Sequence, residues 1–313
     1  MIATVTLNPA LDVTITVDEL ALGESMRTPA AHRRAGGKGI NVSRVLSGEG
    51  IPTTALVCVG GPAGEEFARE LTHAGVPHRL IWTDVETRTS RTIHESALGR
   101  ATVLNERGET PGDDAIATLT SFVEALPDLR CVVIAGSLPD GLSADAVAEL
   151  TARTRRKGAA VIVDGGGTAL IAAAHAGASL LKPNAVELRE ARPLADPVTA
   201  ARSLLDDGAD SVVVTRGERG MLVVDRSGVR TARLSRTLRG NPTGAGDAAT
   251  AAFAAGLAPL THLDDRTIAT AVAWSAAAVL APVAGALAPG WPALLDEVRI
   301  DRLTDDEETT CPW

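Results

Sequence analysis

Aromatic residues are nearly missing: they make up 2% of the 313 residues, and there is no tyrosine. A protein that binds nucleic acid by base stacking needs such rings, so that class loses its main tool. Basic residues are not in excess either. Lys and Arg number 30 against 39 Asp and Glu, a formal net charge of −9, which disfavours a polyanionic partner. There are only three cysteines, Cys58, Cys131 and Cys311. They are too far apart for a metal motif and odd in number, and Cys58 and Cys131 sit inside apolar runs. They read as buried free thiols of a reducing, cytoplasmic compartment. The opening "MIATVTLNPALD" has no basic segment followed by a long apolar one, so it does not read as a signal peptide. The longest weakly polar run, 271–288, is mostly alanine and is broken by Pro282 and Gly285. It reads as a buried helix and a loop, short of the ~20 residues a membrane span needs. Neither nucleic acid nor a membrane is an expected partner.

What is present is an alternation of strands and helices. Short apolar, β-branched runs at 2–7, 55–60, 131–135, 160–164, 178–183, 211–215 and 221–225 read as strands. Helical stretches are expected at 38–48, 65–74, 113–125, 143–157, 168–175, 197–208, 245–257 and 264–280, with Asp113 and Ser143 at N-cap positions. Such alternation predicts an α/β fold around a mostly parallel sheet. Two segments break the rhythm. Residues 11–34 and 87–106 alternate apolar and polar, the second turning near Leu98-Gly99, and they predict a small half-exposed sheet. The expected organisation is a main domain of 1–10, 35–86 and 107–303, a lid of 11–34 and 87–106, and a mobile acidic tail, 304–313.

The stretch "RGNPTGAGDAATAAFAAGL" (239–257) crowds glycines around Asp247 at the start of an Ala-rich helix. Glycines this dense cost backbone entropy, so something must need close approach there. A phosphate-binding G-x-x-x-x-G-K-[ST] loop does not fit, because "GGKGIN" has His32 and Gly39 at the wrong places. A dinucleotide fingerprint on Gly244-x-Gly246-x-x-Ala249 fails too, because Asn241-Pro242-Thr243 precedes it instead of a strand. A third reading is physical. The free N–H groups of a helix starting near Ala245 form an anion hole, and Gly244 and Gly246 open it to a phosphate. Asp247, in the first turn, stands ready as a base for an attacking hydroxyl.

At this point the chain resembles the PfkB (ribokinase-like) carbohydrate kinases, in the branch of 1-phosphofructokinases and tagatose-6-phosphate kinases. The blocks "TVTLNPALDVT" (4–14), "AGGKGINVSRVL" (35–46), "AGSLPDGL" (135–142), "KPNAVEL" (182–188), "VVTRGERGMLVV" (213–224) and "NPTGAGDAATAAF" (241–253) carry the resemblance in order. It implies a three-layer α/β/α fold with a β-sheet lid, and ATP and Mg²⁺ as cofactors. It also implies a phosphosugar substrate and a homodimer through the lid.

By resemblance, Asp247 is the catalytic base, and Gly244, Ala245 and Gly246 form the anion hole. Asp12, Gly36, Gly37 and Asn41 would contact the sugar, and Ser137 would face the cleft. Arg91, Arg27 and Lys38 would bind a phosphate the sugar already carries, since Arg suits bidentate phosphate contacts. Asn184 and Glu187 would serve the nucleotide phosphates and Mg²⁺, Glu187 through water. Thr215, Gly217 and Gly220 would line the ATP loop. "AGS" at 135–137 and "DGGG" at 164–167 depart from the family pattern, so Gly165 and Gly166 inherit no role. The lid pattern "TR-x-N-x-K" of 1-phosphofructokinases, set on "SRTIHE" (90–95), keeps Arg91 but has Ile93 and Glu95 in place of Asn and Lys. Together with Asn241-Pro242, this leans toward tagatose 6-phosphate. Fructose 1-phosphate is the main rival, followed by fructose 6-phosphate and an unphosphorylated sugar. A sugar-phosphate-binding regulator without activity would need a broken base or anion hole, and both are intact.

Overall fold

A computed structural model describes residues 1–257, 263–309 and 311–313. From the amino end the chain runs β1 (Ile2–Thr6), β2 (Ala10–Val17), β3 (His32–Gly36), α1 (Lys38–Gly48), β4 (Thr53–Val59), α2 (Gly61–His73) and β5 (His78–Trp82). It continues through β6 (Arg88–Glu95), β7 (Arg100–Asn105), α3 (Asp113–Ala125), β8 (Cys131–Ala135), α4 (Asp145–Arg156), β9 (Ala160–Asp164), α5 (Gly167–His175) and β10 (Leu180–Leu181). Then come α6 (Ala185–Ala191), α7 (Pro197–Asp206), β11 (Ser211–Thr215), β12 (Met221–Asp225), β13 (Gly228–Leu234), α8 (Ala245–Gly256), α9 (Asp265–Leu280), β14 (Val298–Arg302) and α10 (Asp305–Thr309).

Ten strands form one sheet in the order β14-β13-β12-β11-β10-β9-β8-β1-β4-β5. Pairing is parallel from β11 to β5 and antiparallel from β11 out to β14. The parallel strands read as continuous apolar runs because both faces are covered. Helices α3 to α7 pack on one face, and α1, α2, α8 and α9 on the other. This is the three-layer arrangement expected. Four further strands form a separate sheet, β3-β2-β6-β7, from the two segments expected to make a lid. Its turn does fall at Leu98-Gly99, where Gly99 has φ 62°.

Several boundaries differ from expectation. β5, β13 and β14 are half-exposed or at the edge, so their apolar runs are short, and the sequence did not announce them. β10 is only two residues, where 178–183 was expected. Asp113 is the first residue of α3 rather than its cap, which is Gly112. Ser143 lies just ahead of α4, and its hydroxyl accepts from the Asp145 N–H at 3.2 Å. α9 ends at Leu280, and no described helix is long and apolar enough to cross a membrane.

The tail is the clearest correction, because it is docked rather than free. Residue 310 lies outside the described residues. Glu308 pairs with Arg202 at 2.6 Å, and Arg216 donates to Cys311 Sγ at 3.2 Å. The Trp313 ring lies under Arg189, 4.7 Å away, and its Nε1 donates to the Ala195 carbonyl at 3.0 Å. An acidic composition suggested solvation, but the neighbouring surface offers arginines.

Candidate active site

Helix α8 begins at Ala245, capped by Gly244 in a left-handed conformation, φ 85°. A Cβ on Gly244 would stand 2.9 Å from Ala284 Cβ. The turn therefore needs glycine for its own geometry. Gly246 is different: the nearest atom to an added Cβ is Lys182 Nζ, at 3.5 Å. No described residue crowds that point. The Ala245 N–H is taken, donating to the Pro242 carbonyl at 3.1 Å. Ala245 therefore does not serve the expected anion hole, which is left to the Gly246 and Asp247 N–H groups beside an ammonium.

Asp247 follows, buried in the same turn. Asn41 Nδ2, on α1, donates to its Oδ2 at 2.8 Å. Burial lifts the Asp247 carboxyl to about 6, and the negative charge of Asp164 adds to this. The Asn41 contact, Lys182 and Lys38 pull the other way. Asp164 ends β9. Its Oδ1 accepts from Lys38 Nζ at 3.1 Å, and its Oδ2 from Lys182 Nζ at 3.1 Å and Thr250 Oγ1 at 2.6 Å. Burial opposes the charge on Asp164, but Lys182 and Lys38 outweigh it and hold its carboxyl below the usual range. Two neighbouring carboxylates are thus driven apart in proton affinity, a common mark of divided catalytic roles.

Lys38 also donates to Glu187 at 3.0 Å. Burial works against its charge, yet Asp164 and Glu187 hold its pKa above the ordinary lysine value. Glu187 and Asn184 form a capping box at the start of α6. The Asn184 side chain accepts from the Val186 and Glu187 N–H groups, and Glu187 Oε2 accepts from the Asn184 N–H at 2.8 Å.

The small sheet borders the other side. Cross-strand register places Asp12 beside Arg34 on β3 and Ser90 on β6, and Ser90 beside Asn105 on β7. Arg88 pairs with Ala10, two residues earlier on the same face. A Cβ on Gly36 would stand 2.0 Å from Asp12 Oδ2, so the backbone there passes directly against the carboxylate. Burial lifts Asp12 to about 6, against the pull of Arg88, Arg34 and Arg44.

Two cavities meet here. One, about 460 Å³, is bounded by Asp12, Asn41, Arg88, Lys182, Glu187 and Asp247. The other, about 550 Å³, lies between the loop after β11, with Gly217 and Gly220, and helix α9. Thr215 and Gly246 line both. One room therefore opens from each side onto the N-terminus of α8.

The structure brings together Asp12, Gly37, Lys38, Asn41, Asn184, Glu187, Thr215, Gly244, Gly246 and Asp247 around the first cavity. It does not bring in Arg27, which is exposed in the loop between β2 and β3. Nor does it bring in Arg91. Side chains alternate along a strand, so Arg91 is on the face opposite Arg88 and Ser90. It is 47% exposed and paired with Glu106. Lys38 lines the cavity but is engaged by Asp164 and Glu187. Ser137 is exposed at the end of β8, where its hydroxyl accepts from Asn8 Nδ2 at 3.1 Å, outside the cavity lining.

Sequence reasoning passed over Arg88, Asp164, Lys182 and Thr250. The signal for two of them was available. Asp164 ends a buried parallel strand and Lys182 directly follows another, and that edge of an open α/β sheet is where ligands sit. No group of three or more His, Cys, Asp or Glu among the described residues is arranged to hold a metal ion. Glu187 and Asn184 have their carbonyl and carboxylate oxygens engaged. They fit a hard cation only through its water shell, as Mg²⁺ often accepts.

Comparison with known proteins gives a consistent result. The profile of the pfkB family carbohydrate kinases matches residues 5–289. A 1-phosphofructokinase of Xanthomonas campestris pv. campestris is 37% identical over 279 residues, covering 84% of this chain and 85% of the relative. The crystal structure of phosphofructokinase-2 from Escherichia coli superposes with a TM-score of 0.87 at 28% identity, covering 94% of this chain and 98% of the other. The same enzyme in complex with fructose 6-phosphate superposes at 0.81 with 30% identity, covering 89% and 94%.

Proposed function

The chain belongs to the pfkB family of carbohydrate kinases, and on that premise we propose that it transfers the γ-phosphoryl group of ATP to a hydroxyl of a ketohexose phosphate. The observation that carries this reading is the meeting of two cavities at the N-terminus of α8, with Asp247 at the junction. ATP takes the cavity lined by Thr215, Gly217 and Gly220, with its phosphates directed at Gly246. The sugar takes the cavity under the lid, oriented by Asp12. Asp247 accepts the proton of the attacking hydroxyl. With its carboxyl at about 6 it is ionised at neutral pH, yet more basic than an exposed carboxylate. The Gly246 and Asp247 N–H groups of α8 and the Lys182 ammonium face the charge that builds on the equatorial oxygens. Asn184 and Glu187 would hold Mg²⁺ through water. When bound, Mg²⁺ neutralises phosphate oxygens of the nucleotide.

Arg88, rather than Arg91, is the lid group suited to the phosphate the sugar already carries. The pattern "TR-x-N-x-K" then falls on Thr87 to Thr92. It keeps Arg88 and puts Ser90 and Thr92 at the Asn and Lys positions. Ser90 is still a polar group facing the cavity, so the pattern no longer speaks strongly against fructose 1-phosphate. With the 1-phosphofructokinase relative at 37% identity, fructose 1-phosphate becomes the first acceptor and tagatose 6-phosphate the second. The test is ADP formation with fructose 1-phosphate, tagatose 6-phosphate, fructose 6-phosphate and the free ketoses. Turnover on free ketoses alone would refute the phosphosugar reading.

Two subsidiary proposals accompany it. All six residues of β7 are exposed, Val103 and Leu104 by about half, and bare apolar edges invite pairing. A second copy of the chain covers this edge. Light scattering should give twice the chain mass, and a monomer at micromolar concentration would remove the idea. The setting is reducing and cytoplasmic: burial pushes the Cys58 and Cys131 thiols up to about 12, where they stay unreactive. Localisation of a tagged chain checks this, and export from the cell would contradict it.

A further inference from the structure

Helix α8 is built of alanine, glycine and one phenylalanine, apart from Asp247 and Thr250. Thr250 is fully buried. A β-branched hydroxyl lowers helix propensity relative to the alanines around it, and a buried hydroxyl needs a partner. Its partner is Asp164 Oδ2, at 2.6 Å, the length of a charge-assisted bond. The Gly246 carbonyl is also 3.0 Å from Thr250 Oγ1. A hydroxyl has one proton, and the carboxylate is the nearer and stronger acceptor.

Asp164 is the hub between the two lysines that line the cavity, Lys38 and Lys182. Lys38 holds one oxygen and Lys182 the other, each at 3.1 Å. Both lysines reach it on long flexible stems. Thr250 is the only rigid donor of the three. It lies three residues after Asp247, on the same face of the helix.

We propose that Thr250 is a positioning residue for phosphoryl transfer: its hydroxyl fixes Asp164 against α8 and so sets Lys38 and Lys182 relative to Asp247 and the anion hole. This rests on Asp247 acting as the base. Thr250 touches neither the ATP cavity nor the sugar cavity, so ground-state binding should not depend on it. Without its hydroxyl, Asp164 is held by flexible lysines alone, and all three groups drift from the position the transition state requires.

The test uses the full chain with its best acceptor and four variants: Thr250→Val, Thr250→Ala, Thr250→Ser and Asp247→Asn. Valine keeps the shape and loses the donor. Alanine also loses it and suits an alanine helix, so it serves should the valine chain fold poorly. Both should lower kcat roughly tenfold, inside the ~10²-fold that a 1 Å misplacement costs, with both KM values within about twofold. Serine keeps the hydroxyl and loses only a methyl, and should return kcat to within about threefold. Activity that follows side-chain volume, with serine worse than valine, means a packing role and overturns the proposal. Unchanged kcat in valine and alanine overturns it as well, while an inactive Asp247→Asn in the same assay leaves the base assignment standing. An active Asp247→Asn removes both.

Discussion

Two carboxylates lie close together in this site, and their surroundings give them opposite tasks. Asp164 receives three donors and stays ionised; Asp247 receives one and is lifted to about 6. In the proposed function it is Asp247 that takes the proton. Replacing it with asparagine should therefore lower kcat ~10²–10⁴-fold. The wild-type rate should fall as pH drops through about 6, because Asp247 then becomes protonated. The same shift has a stability consequence of definite sign. The folded carboxyl binds its proton more tightly than the unfolded one, whose value is 3.8. The native state therefore loses stability as pH rises from about 4 through 6, and that loss is complete above 6. Asp247→Asn should melt higher than wild type at pH 8, and the difference should fade toward pH 4. Turnover within threefold of wild type, or an acid limb well below pH 5, would show that another group is the base. Asp247 could be named from the sequence because the glycines around it are visible. Asp164 could not be linked to it, since the two are 83 positions apart with three helices between them and only the fold brings them together.

At the scale of the element, the N-terminus of α8 separates two kinds of glycine that look alike in "TGAGD". Gly244 is required by the protein: φ is 85°, and Ala284 blocks a side chain. No described residue crowds a side chain at Gly246, and the proposed function assigns that space to the ligand. Gly244→Ala should lower Tm by several degrees, as expected where a residue with a side chain is forced to positive φ. Gly246→Ala should keep Tm and lose kcat, because its methyl would enter the space before Lys182 where the phosphoryl group passes. Loss of about 3 kcal/mol of transition-state stabilisation is the scale for a disturbed anion hole. Melting curves and kcat on both variants decide it, and a collapse of Tm in Gly246→Ala would return that glycine to a packing role. Strand β6 teaches a second lesson about elements. The two arginines at 88 and 91 are three apart, so they face opposite sides of a strand. The sequence showed that the segment was a strand but not which face was inward. That parity is set by pairing with β2, a partner 78 positions away, and pairing of that kind is not local information. The fully buried strands of the main sheet were legible for the converse reason, unlike β5, β13 and β14: strands buried on both faces carry no parity to misjudge.

At the scale of the molecule, the proposed function gives each substrate its own room. On that proposal the small sheet belongs to the sugar side and the loop after β11 to the nucleotide side, and the two cavities share only Thr215 and Gly246. Damage in one room should therefore leave the KM of the other nearly unchanged. Arg88 is the sharpest probe of this division. Its Nε and Nη2 donate to the Asn8 carbonyl at 3.3 and 3.2 Å, and its Nη1 to the Glu106 carbonyl at 3.0 Å. These contacts hold the guanidinium at the cavity wall. A guanidinium has five N–H groups, so donors remain for a phosphate. A charge-assisted contact of this kind contributes about 1.5–3 kcal/mol net. At ~1.4 kcal/mol per decade, Arg88→Ala should raise KM for the phosphosugar roughly ten- to a hundredfold. KM for ATP should stay within about twofold, and any weak turnover on the free ketose should be little affected, because that substrate has no phosphate to lose its partner. Arg91→Ala, on the outer face and paired with Glu106, should leave all three values close to wild type. An equal loss on phosphorylated and free sugar in Arg88→Ala would mean that Arg88 only ties the lid to the body through Asn8 and Glu106. A large effect of Arg91→Ala on the phosphosugar would mean that the lid sheet presents its other face to the substrate.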